Sequence, residues 1–272
     1  MTKQLEIINK NIIRSKTLRS SKVYVIDSEV HVKSGIKLTV EDNTTILITN
    51  GAKNNTLLRR SALIFDQGSE LSAKRLNVKA ANDKFKAVKY ADNGGLWFIG
   101  NTLDASKDRV STRVNRKKPL SNFCARTIST YYLGRHDDYV SKKSGRIVGI
   151  GDDIDGLSLL GIGRNEWSVD NIKTFYSGDD GFDITNSHIS LKTIEVIAPT
   201  EDGLNLSSSR LEVHKSLKVD VTRNGATDRD IFDFEADDGS SFLEIYQNCN
   251  IDIKGILGDQ ITLSSKDIPP LK

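Results

Sequence analysis

Residues 180–184 read Asp-Gly-Phe-Asp-Ile, and this pattern of Asp, any residue, apolar, polar, apolar decides the predicted fold. It recurs through the second half of the chain, with starts that lie 22 to 29 residues apart. The five copies are Asp155-Gly-Leu-Ser-Leu, Asp180-Gly-Phe-Asp-Ile, Asp202-Gly-Leu-Asn-Leu, Asp230-Ile-Phe-Asp-Phe and Asp259-Gln-Ile-Thr-Leu. Each copy places a short alternating strand after a turn residue, which is typical of solenoids whose repeats bury their apolar faces by stacking.

One repeat has the length of a coil with three short strands and three corners, because at ~3.3 Å per residue its perimeter is roughly 70–95 Å. The handedness rule for parallel connections then predicts a single-stranded right-handed parallel β-helix. We therefore predict an all-β protein with one β-helix domain over residues 1–272, in which residues 147–265 form the regular coils.

Alignment of the five copies predicts two inward apolar columns and one outward polar column. The first apolar column contains Leu157, Phe182, Leu204, Phe232 and Ile261. The second contains Leu159, Ile184, Leu206, Phe234 and Leu263. The polar column between them contains Ser158, Asp183, Asn205, Asp233 and Thr262. We expect the apolar columns to form the core and the polar column to face solvent.

The N-terminal residues 1–20 have a different spacing. Apolar residues at Leu5, Ile8 and Ile12 are separated by polar residues at helical intervals, which predicts a short helix. Such a helix would cap the solenoid, whose last coil otherwise exposes its core and unpaired strand edges.

Residues 104–146 interrupt the repeats and form a predicted basic excursion, with a strand near residues 126–133. The segment holds eleven Lys or Arg against four Asp, including the tract Arg113-Val-Asn-Arg-Lys-Lys. If the excursion folds over the aspartates, Arg113, Arg116, Lys117 and Lys118 are placed to recruit a polyanion such as a polysaccharide.

The remaining composition excludes several classes of protein. No apolar run approaches the roughly 18 residues needed to cross a bilayer. The net charge of +3 and the lack of a recognition motif argue against nucleic acid as a partner. Cys124 and Cys249 are predicted to be free thiols, since two cysteines make neither a disulfide framework nor a metal site. The oligomeric state is left open.

The first residues contain no continuous apolar segment of the kind found in secretory signals. If Met1 is the native start, we expect a cytoplasmic protein. If a signal was removed, we expect an extracellular one.

The column of turn aspartates has two interpretations. Like charges stacked at about 5 Å repel by roughly 3 kcal/mol per pair at an effective dielectric of 20, unless each carboxylate accepts amides or a cation lies among them. The aspartates either cap their own corners through Asx-type hydrogen bonds, or form a catalytic or cation-binding cluster.

The phrases around the first three aspartates resemble the pectin-lyase-like β-helix superfamily. The segments Asp153-Ile-Asp-Gly-Leu, Gly178-Asp-Asp-Gly-Phe-Asp-Ile and Glu201-Asp-Gly-Leu-Asn-Leu are similar in order and spacing to polygalacturonase-type glycoside hydrolases. The resemblance implies that Asp155, Asp179 and Asp180 supply the general acid and the base of an inverting hydrolysis. The chain departs from this pattern because Asp202 occupies the family's His position and no Arg-x-Lys follows.

A second resemblance is to uncharacterised bacterial surface β-helix proteins, and it implies no known reaction. It rests on Gly94-Gly-Leu-Trp-Phe-Ile-Gly, Gly161-Ile-Gly and Ser177-Gly-Asp-Asp-Gly-Phe.

Two functions are therefore open. The first is a carbohydrate-active enzyme, a glycoside hydrolase or polysaccharide lyase-like protein, that uses Asp155, Asp179 and Asp180 on an acidic polysaccharide. The second is a non-catalytic binding or structural module, in a surface or assembly protein, whose aspartates only cap turns.

The candidate substrate-binding residues combine polar groups for a sugar, arginines for its carboxylates and aromatic rings for stacking. They are Asp183, Asp202, Asn205, Arg164, Arg210, Trp97, Tyr131 and Tyr132. No cofactor is required by either function. Ca²⁺ is an open possibility, with hard oxygen ligands from Asp179, Asp180, Asp183 and Glu201.

Overall fold

The structure, a computed structural model, describes residues 3–53, 56–107, 109–136, 153–222 and 229–258. Its strands are β1 (Gln4–Ile8), β2 (Lys16–Leu18), β3 (Lys22–Ile26), β4 (Glu29–Val32), β5 (Lys37–Val40), β6 (Thr45–Thr49), β7 (Ala62–Phe65), β8 (Glu70–Ala81), β9 (Leu96–Ile99), β10 (Ala105–Lys107), β11 (Val110–Thr112), β12 (Asn122–Tyr131), β13 (Leu157–Leu160), β14 (Trp167–Phe175), β15 (Phe182–Thr185), β16 (His188–Ile197), β17 (Leu204–Ser207), β18 (Arg210–Asp220), β19 (Asp230–Glu235), β20 (Phe242–Ile245), β21 (Asn250–Lys254) and β22 (Ile256–Gly258). A 3₁₀ turn at Arg164–Glu166 is the only helical element of these residues. The all-β prediction is therefore confirmed.

Two open parallel sheets contain nearly all of these strands. The smaller sheet has eight strands in the order β22-β19-β17-β15-β13-β9-β7-β4, and the larger has twelve. Among the described strands, only β10 and β11 pair antiparallel, as a separate two-stranded hairpin. Chain order follows sheet order in both sheets, so each repeat adds one strand beside the previous one.

Two long strands of the larger sheet, β8 and β18, each pair with two shorter strands on one side. The start of β8 pairs with β5 and its end pairs with β6. Likewise, the start of β18 pairs with β20 and its end with β21. The larger sheet therefore consists of two adjacent strips, and the smaller sheet forms a third.

The predicted core columns are confirmed for the described copies. In the smaller sheet, consecutive cross-strand partners are Val32, Phe65, Phe98, Leu159, Ile184, Leu206 and Phe234. Phe98 stacks on Phe65 with ring centroids 4.8 Å apart and meets Phe123 and Trp167 edge-on. Stacking of identical positions therefore gives one continuous core, as the alternating pattern predicts.

The corners after these strands have a serine ladder. Ser187 and Ser209 each donate their hydroxyl to a carbonyl of the preceding strand end, at Thr185 and Ser207. Each hydroxyl also accepts a backbone amide, from Ile162 to Ser187 and from Ser187 to Ser209. The serine hydroxyls thus form hydrogen bonds with buried backbone groups at the corners, where the chain leaves the sheet.

The predicted N-terminal helix is wrong, because residues 4–8 form strand β1 and pair in parallel with β3. The isoleucines of this segment favour an extended backbone, and pairing with an existing sheet edge provides hydrogen bonds that an isolated short helix lacks. Leu5 and Ile7 remain 42% and 44% exposed.

The predicted excursion is only partly outside the sheets. Its first part forms the β10–β11 hairpin, and residues 122–131 form β12 between β8 and β14 of the larger sheet. The strand expected near residues 126–133 is thus present. Residues 137–146 of the excursion lie outside the described residues.

The fifth copy of the repeat also lies outside the described residues. Before this copy, β22 pairs Gly258 with Phe232 of β19. Cys124 and Cys249 are free, as predicted. Among the described residues, no helix has the length and apolar character required to cross a membrane.

Candidate functional site

The turn aspartates precede or begin consecutive strands of the smaller sheet, so stacking brings them together. Asp180 and Asp202 are each followed by glycine, and backbone from the next repeat passes close to both glycines. A Cβ on Gly181 would lie 2.6 Å from the carbonyl oxygen of Gly203, and one on Gly203 would lie 2.6 Å from that of Ile231. Glycine after the aspartate is therefore required by close packing of the corner.

Backbone amides connect the aspartates of successive repeats. The Asp202 amide donates to Oδ1 of Asp180 at 3.0 Å, and the Asp230 amide donates to Oδ1 of Asp202 at 2.6 Å. Each of these carboxylates thus bonds the main chain of the following repeat rather than its own turn. This arrangement explains how a stacked column of acids is tolerated.

Four of these acids are buried together, and we name Asp155, Asp179, Asp180 and Asp183 the carboxylate cluster. Their exposed fractions are 1%, 7%, 4% and 0%. Asp155 also accepts a long hydrogen bond of 3.4 Å from the Ser158 hydroxyl. Such burial disfavours the charged form of each group.

Two members of the cluster, Asp180 and Asp179, have shifted pKa values. Burial raises the pKa of Asp180 well above its usual range, and the Asp155 carboxylate adds to the shift while Lys107 opposes it. Burial raises the pKa of Asp179 in the same way, with repulsion from Asp180 and Asp155. Burial thus favours the protonated forms of these two side chains.

Asp202 lies at the more exposed end of the same column. Burial raises its pKa to about 7, against the opposing effect of the hydrogen bond from the Asp230 amide. The nearby Asp233 and Glu201 carboxylates add to the shift. Asp202 thus changes protonation within the physiological pH range.

Lys107 is the cation of the cluster, and the sequence interpretation did not identify it. Its Nζ lies 3.0 Å from Oδ1 of Asp183 and 3.8 Å from Oδ2 of Asp155. The lysine extends from β10, in the hairpin that lies beside β13 and β15. Lys107 lies in the predicted basic excursion, in which the functional cations were expected at residues 113–118.

The first three positions of the polar column are buried, which contradicts the prediction that the column faces solvent, while Asp233 is partly exposed. Ser158 and Asp183 are both 0% exposed and Asn205 is 6% exposed. The column continues through β9 as Trp97, which pairs with Ser158. These positions alternate with the core residues and point away from the core. They are nevertheless buried, because the β10–β11 hairpin covers this face of the sheet.

Two groups of side chains offer donor atoms for a metal ion. One carboxylate oxygen from each of Asp179, Asp180 and Glu201 lies within 4.8 Å of the others. The second group combines Asp179 with His136 and Asp153, and His136 Nδ1 lies 3.5 Å from an oxygen of each. Three oxygen donors are fewer than the six to eight ligands that Ca²⁺ takes. Asp183, expected in the calcium set, contacts Lys107 instead.

The candidate aromatic residues are engaged in contacts within the protein. Trp97 is 0% exposed and donates its indole N–H to the Gly94 carbonyl at 2.6 Å, so it presents no face to a sugar. Tyr131 stacks on Phe175 with centroids 4.9 Å apart, and Tyr132 stacks on Tyr176 at 4.8 Å. These tyrosines lie at the end of β12 and the corner that follows it.

The candidate arginines belong to an ion-pair group at the other end of the short strands. Arg164 bonds Glu212 and, at 2.8 Å, His188. Arg210 bonds Glu244 and lies 3.6 Å from Glu212. Their partners are thus glutamates of the larger sheet rather than the turn aspartates.

No family model, curated protein or solved structure matches the chain. The function must therefore be inferred from the geometry of the cluster itself. Of the predicted site residues, the structure brings together Asp155, Asp179, Asp180, Asp183 and Asp202. It adds Lys107, His136 and Glu201 as neighbours that matter for their charge.

Proposed function

We propose that this protein is a non-catalytic module, built as a right-handed parallel β-helix, whose aspartates join successive coils. The observation that supports this most strongly is the pair of hydrogen bonds from the Asp202 and Asp230 amides to the carboxylates one coil earlier. Such a module fits a surface or assembly protein that presents a rigid, elongated body.

The β-helix part of the proposal is supported by the strand order. Two strips of the larger sheet and the smaller sheet supply three faces, and apolar columns from all of them form one core. Coils of 22 to 29 residues suit three such faces. The right hand follows from the general preference of parallel crossover connections.

Burial of the aspartates favours the scaffold role over catalysis. A glycosidase must place two carboxyl groups on either side of a glycosidic bond, about 5 to 9.5 Å apart, with the sugar between them. Asp155, Asp180 and Asp183 are at most 4% exposed, and the β10–β11 hairpin covers Asp183. A polysaccharide has no direct access to these side chains.

Two substitutions of Asp180 test the proposal. Asp180→Ala removes the acceptor of the Asp202 amide and should lower the free energy of unfolding by about 1–3 kcal/mol, because a buried donor is left unsatisfied. Asp180→Asn keeps an oxygen acceptor and removes a buried acid, so it should retain stability close to that of the unchanged chain. Denaturant unfolding of the three proteins measures both effects.

The scaffold proposal would fail if Asp180→Ala unfolded at the same denaturant concentration as Asp180→Asn. Equal stability would mean that the coil-to-coil hydrogen bond contributes nothing, and the cluster would then need a chemical role.

A second candidate function, hydrolysis of an acidic polysaccharide, is favoured by one feature of Asp179. This residue lies at the edge of the cluster, burial raises its pKa, and Glu201 beside it is partly exposed. A protonated acid beside a second carboxylate is the pair that glycoside hydrolysis requires.

Reducing-end release from polygalacturonate and other acidic polysaccharides tests this second function. If it operates, Asp179→Asn should reduce the rate at least about 100-fold, because the general acid is lost. Asp83→Asn, an exposed acid far along the sequence, is the matched control. Absence of product from every polysaccharide, or equal rates for both variants, would exclude Asp179 as the acid.

A further inference from the structure

Lys107, Asp183 and Asp155 form a buried triad in which one amine contacts two carboxyl groups. Lys107 Nζ lies 3.0 Å from Asp183 and 3.8 Å from Asp155, and the three side chains are 17%, 0% and 2% exposed. The residues come from distant parts of the chain, with β10 and β15 fixing the lysine and Asp183.

Apolar side chains pack beside this triad on the side of the β10–β11 hairpin. The β10–β11 hairpin contributes Ala105 and Val110 to a buried cluster that also contains Ile64, Trp97 and Leu160 of the smaller sheet. Along the sheet, Asp183 follows Trp97 and Ser158 in the same column. An ammonium and two carboxylates in such a place carry a large desolvation cost.

We propose that Lys107 and Asp183 form an intramolecular amide, an isopeptide bond, with Asp155 transferring the proton. The bond would close without any enzyme or cofactor, because all three groups are already in contact. It would make this protein a self-crosslinking module in which the hairpin is covalently fixed to the smaller sheet.

The reaction balances from the ion pair. Asp155, as carboxylate, accepts a proton from the Lys107 ammonium and passes it to the Asp183 carboxylate, and the neutral Nζ then attacks Cγ of the protonated Asp183 to form a C–N bond. The tetrahedral intermediate loses one Asp183 oxygen, which leaves as water with the proton relayed by Asp155 and a second proton from Nζ. One ammonium and one carboxylate are thus converted into one neutral amide and one water, with no oxidant or other reactant.

Two physical effects favour amide formation here, although the same reaction between separate groups in water does not proceed. Groups held in contact react with effective molarities of about 10⁵–10⁸ M. In addition, a buried site disfavours the charged reactants and the product amide is neutral. The neighbouring Asp180, whose pKa is raised by burial, shows that this region already favours neutral carboxyl groups.

Intact-mass spectrometry of the denatured chain tests the proposal. The unchanged chain should have a mass lower than its sequence mass by one water, and a tryptic digest should contain a branched peptide that joins residues 107 and 183. Lys107→Arg keeps the charge and cannot form this bond, so it should have its full sequence mass.

Two further variants sharpen the result. Asp183→Asn should lose ammonia instead of water and give a product of the same mass as the crosslinked unchanged chain, since the final amide is identical. Asp155→Asn should reduce the crosslinked fraction at least about 10-fold at equal times after purification, because the proton carrier is lost.

A full sequence mass for the unchanged chain, with cleavage after Lys107 and no branched peptide, would overturn the proposal. The triad would then be an ordinary buried ion pair. This outcome depends only on the unchanged chain, so a variant that fails to fold does not affect it.

Discussion

Substitution of Glu166 by alanine is expected to lower the free energy of unfolding by about 3–5 kcal/mol, one of the largest effects available in this chain. Glu166 is 1% exposed, and its carboxylate accepts backbone amides from Asn101, Ser121 and Gly163 at 2.6, 2.8 and 2.9 Å. It also accepts the Thr102 hydroxyl at 2.7 Å. Alanine would leave three buried amides and the partly buried Thr102 hydroxyl without their acceptor.

The position of these donors adds a second effect. Asn101 and Ser121 lie at the two ends of the segment that contains the β10–β11 hairpin, so Glu166 holds the base of that segment closed. Glu166→Ala should therefore also loosen the hairpin and decrease the crosslinked fraction between Lys107 and Asp183.

Denaturant unfolding of Glu166→Ala, Glu166→Gln and the exposed control Asp83→Ala measures the effect. Glutamine retains one acceptor oxygen but places an amide N–H among donors, so its stability should fall between the other two. Asp83→Ala should change stability by no more than about 0.5 kcal/mol. Equal stability of Glu166→Ala and Asp83→Ala would show that the hydrogen bonds of Glu166 do not stabilise the protein.

The core was predictable from sequence because its information is local and repeated. Each copy of the Asp-containing phrase places apolar residues two apart, and alternation alone assigns Leu159, Ile184 and Leu206 to one face. Stacking then requires only that copies align, which the shared aspartate ensures for the first four copies. For the fifth copy, the alignment stays a prediction, because residues 259–263 lie outside the described part of the chain.

The burial of the site was not predictable in this way, because it depends on a contact between distant segments. Asp183 and Asn205 alternate with core residues and therefore read as solvent-facing. The hairpin carrying Lys107 covers that face, and nothing in the alternation of β15 reports it. The prediction of an N-terminal helix was wrong for a related reason. Pairing with β3 overrides the helical spacing of the isoleucines in this segment.

Stability is expected to fall as pH rises through the range in which Asp202 loses its proton. The folded pKa of Asp202 is about 7, above its ordinary value of 3.8, so the folded chain binds this proton more tightly than the unfolded chain. The stability it contributes is fully present below pH 3.8 and is lost as pH rises through about 7. Asp179 and Asp180, whose pKa values are also raised by burial, act in the same direction.

Other titratable groups affect the stability of the protein at lower and at higher pH. The pKa of Asp66 is lowered by His31 and Lys33 despite its burial, and that of Asp42 is lowered to about 2 by Arg75, so their contributions are lost only as pH falls below about 4. The pKa of His31 is raised to about 9 by Asp66 and Glu29 despite its burial, and its contribution begins to fall only above pH 6.5. Between about pH 5 and 6.5, the buried aspartates therefore dominate the dependence.

Denaturant unfolding at about pH 5 and pH 6.5 should give a free energy of unfolding lower by about 2 kcal/mol at the higher pH, since one pKa unit corresponds to about 1.4 kcal/mol. Asp202→Asn is the decisive variant, because its oxygen still accepts the Asp230 amide while its side chain no longer titrates. Its slope with pH should be smaller than that of the unchanged chain, with stability at pH 6.5 equal or higher. Identical slopes for the two proteins would show that Asp202 has the same pKa in the folded and unfolded chains. The contribution of the acidic column to stability would then come from hydrogen bonds alone.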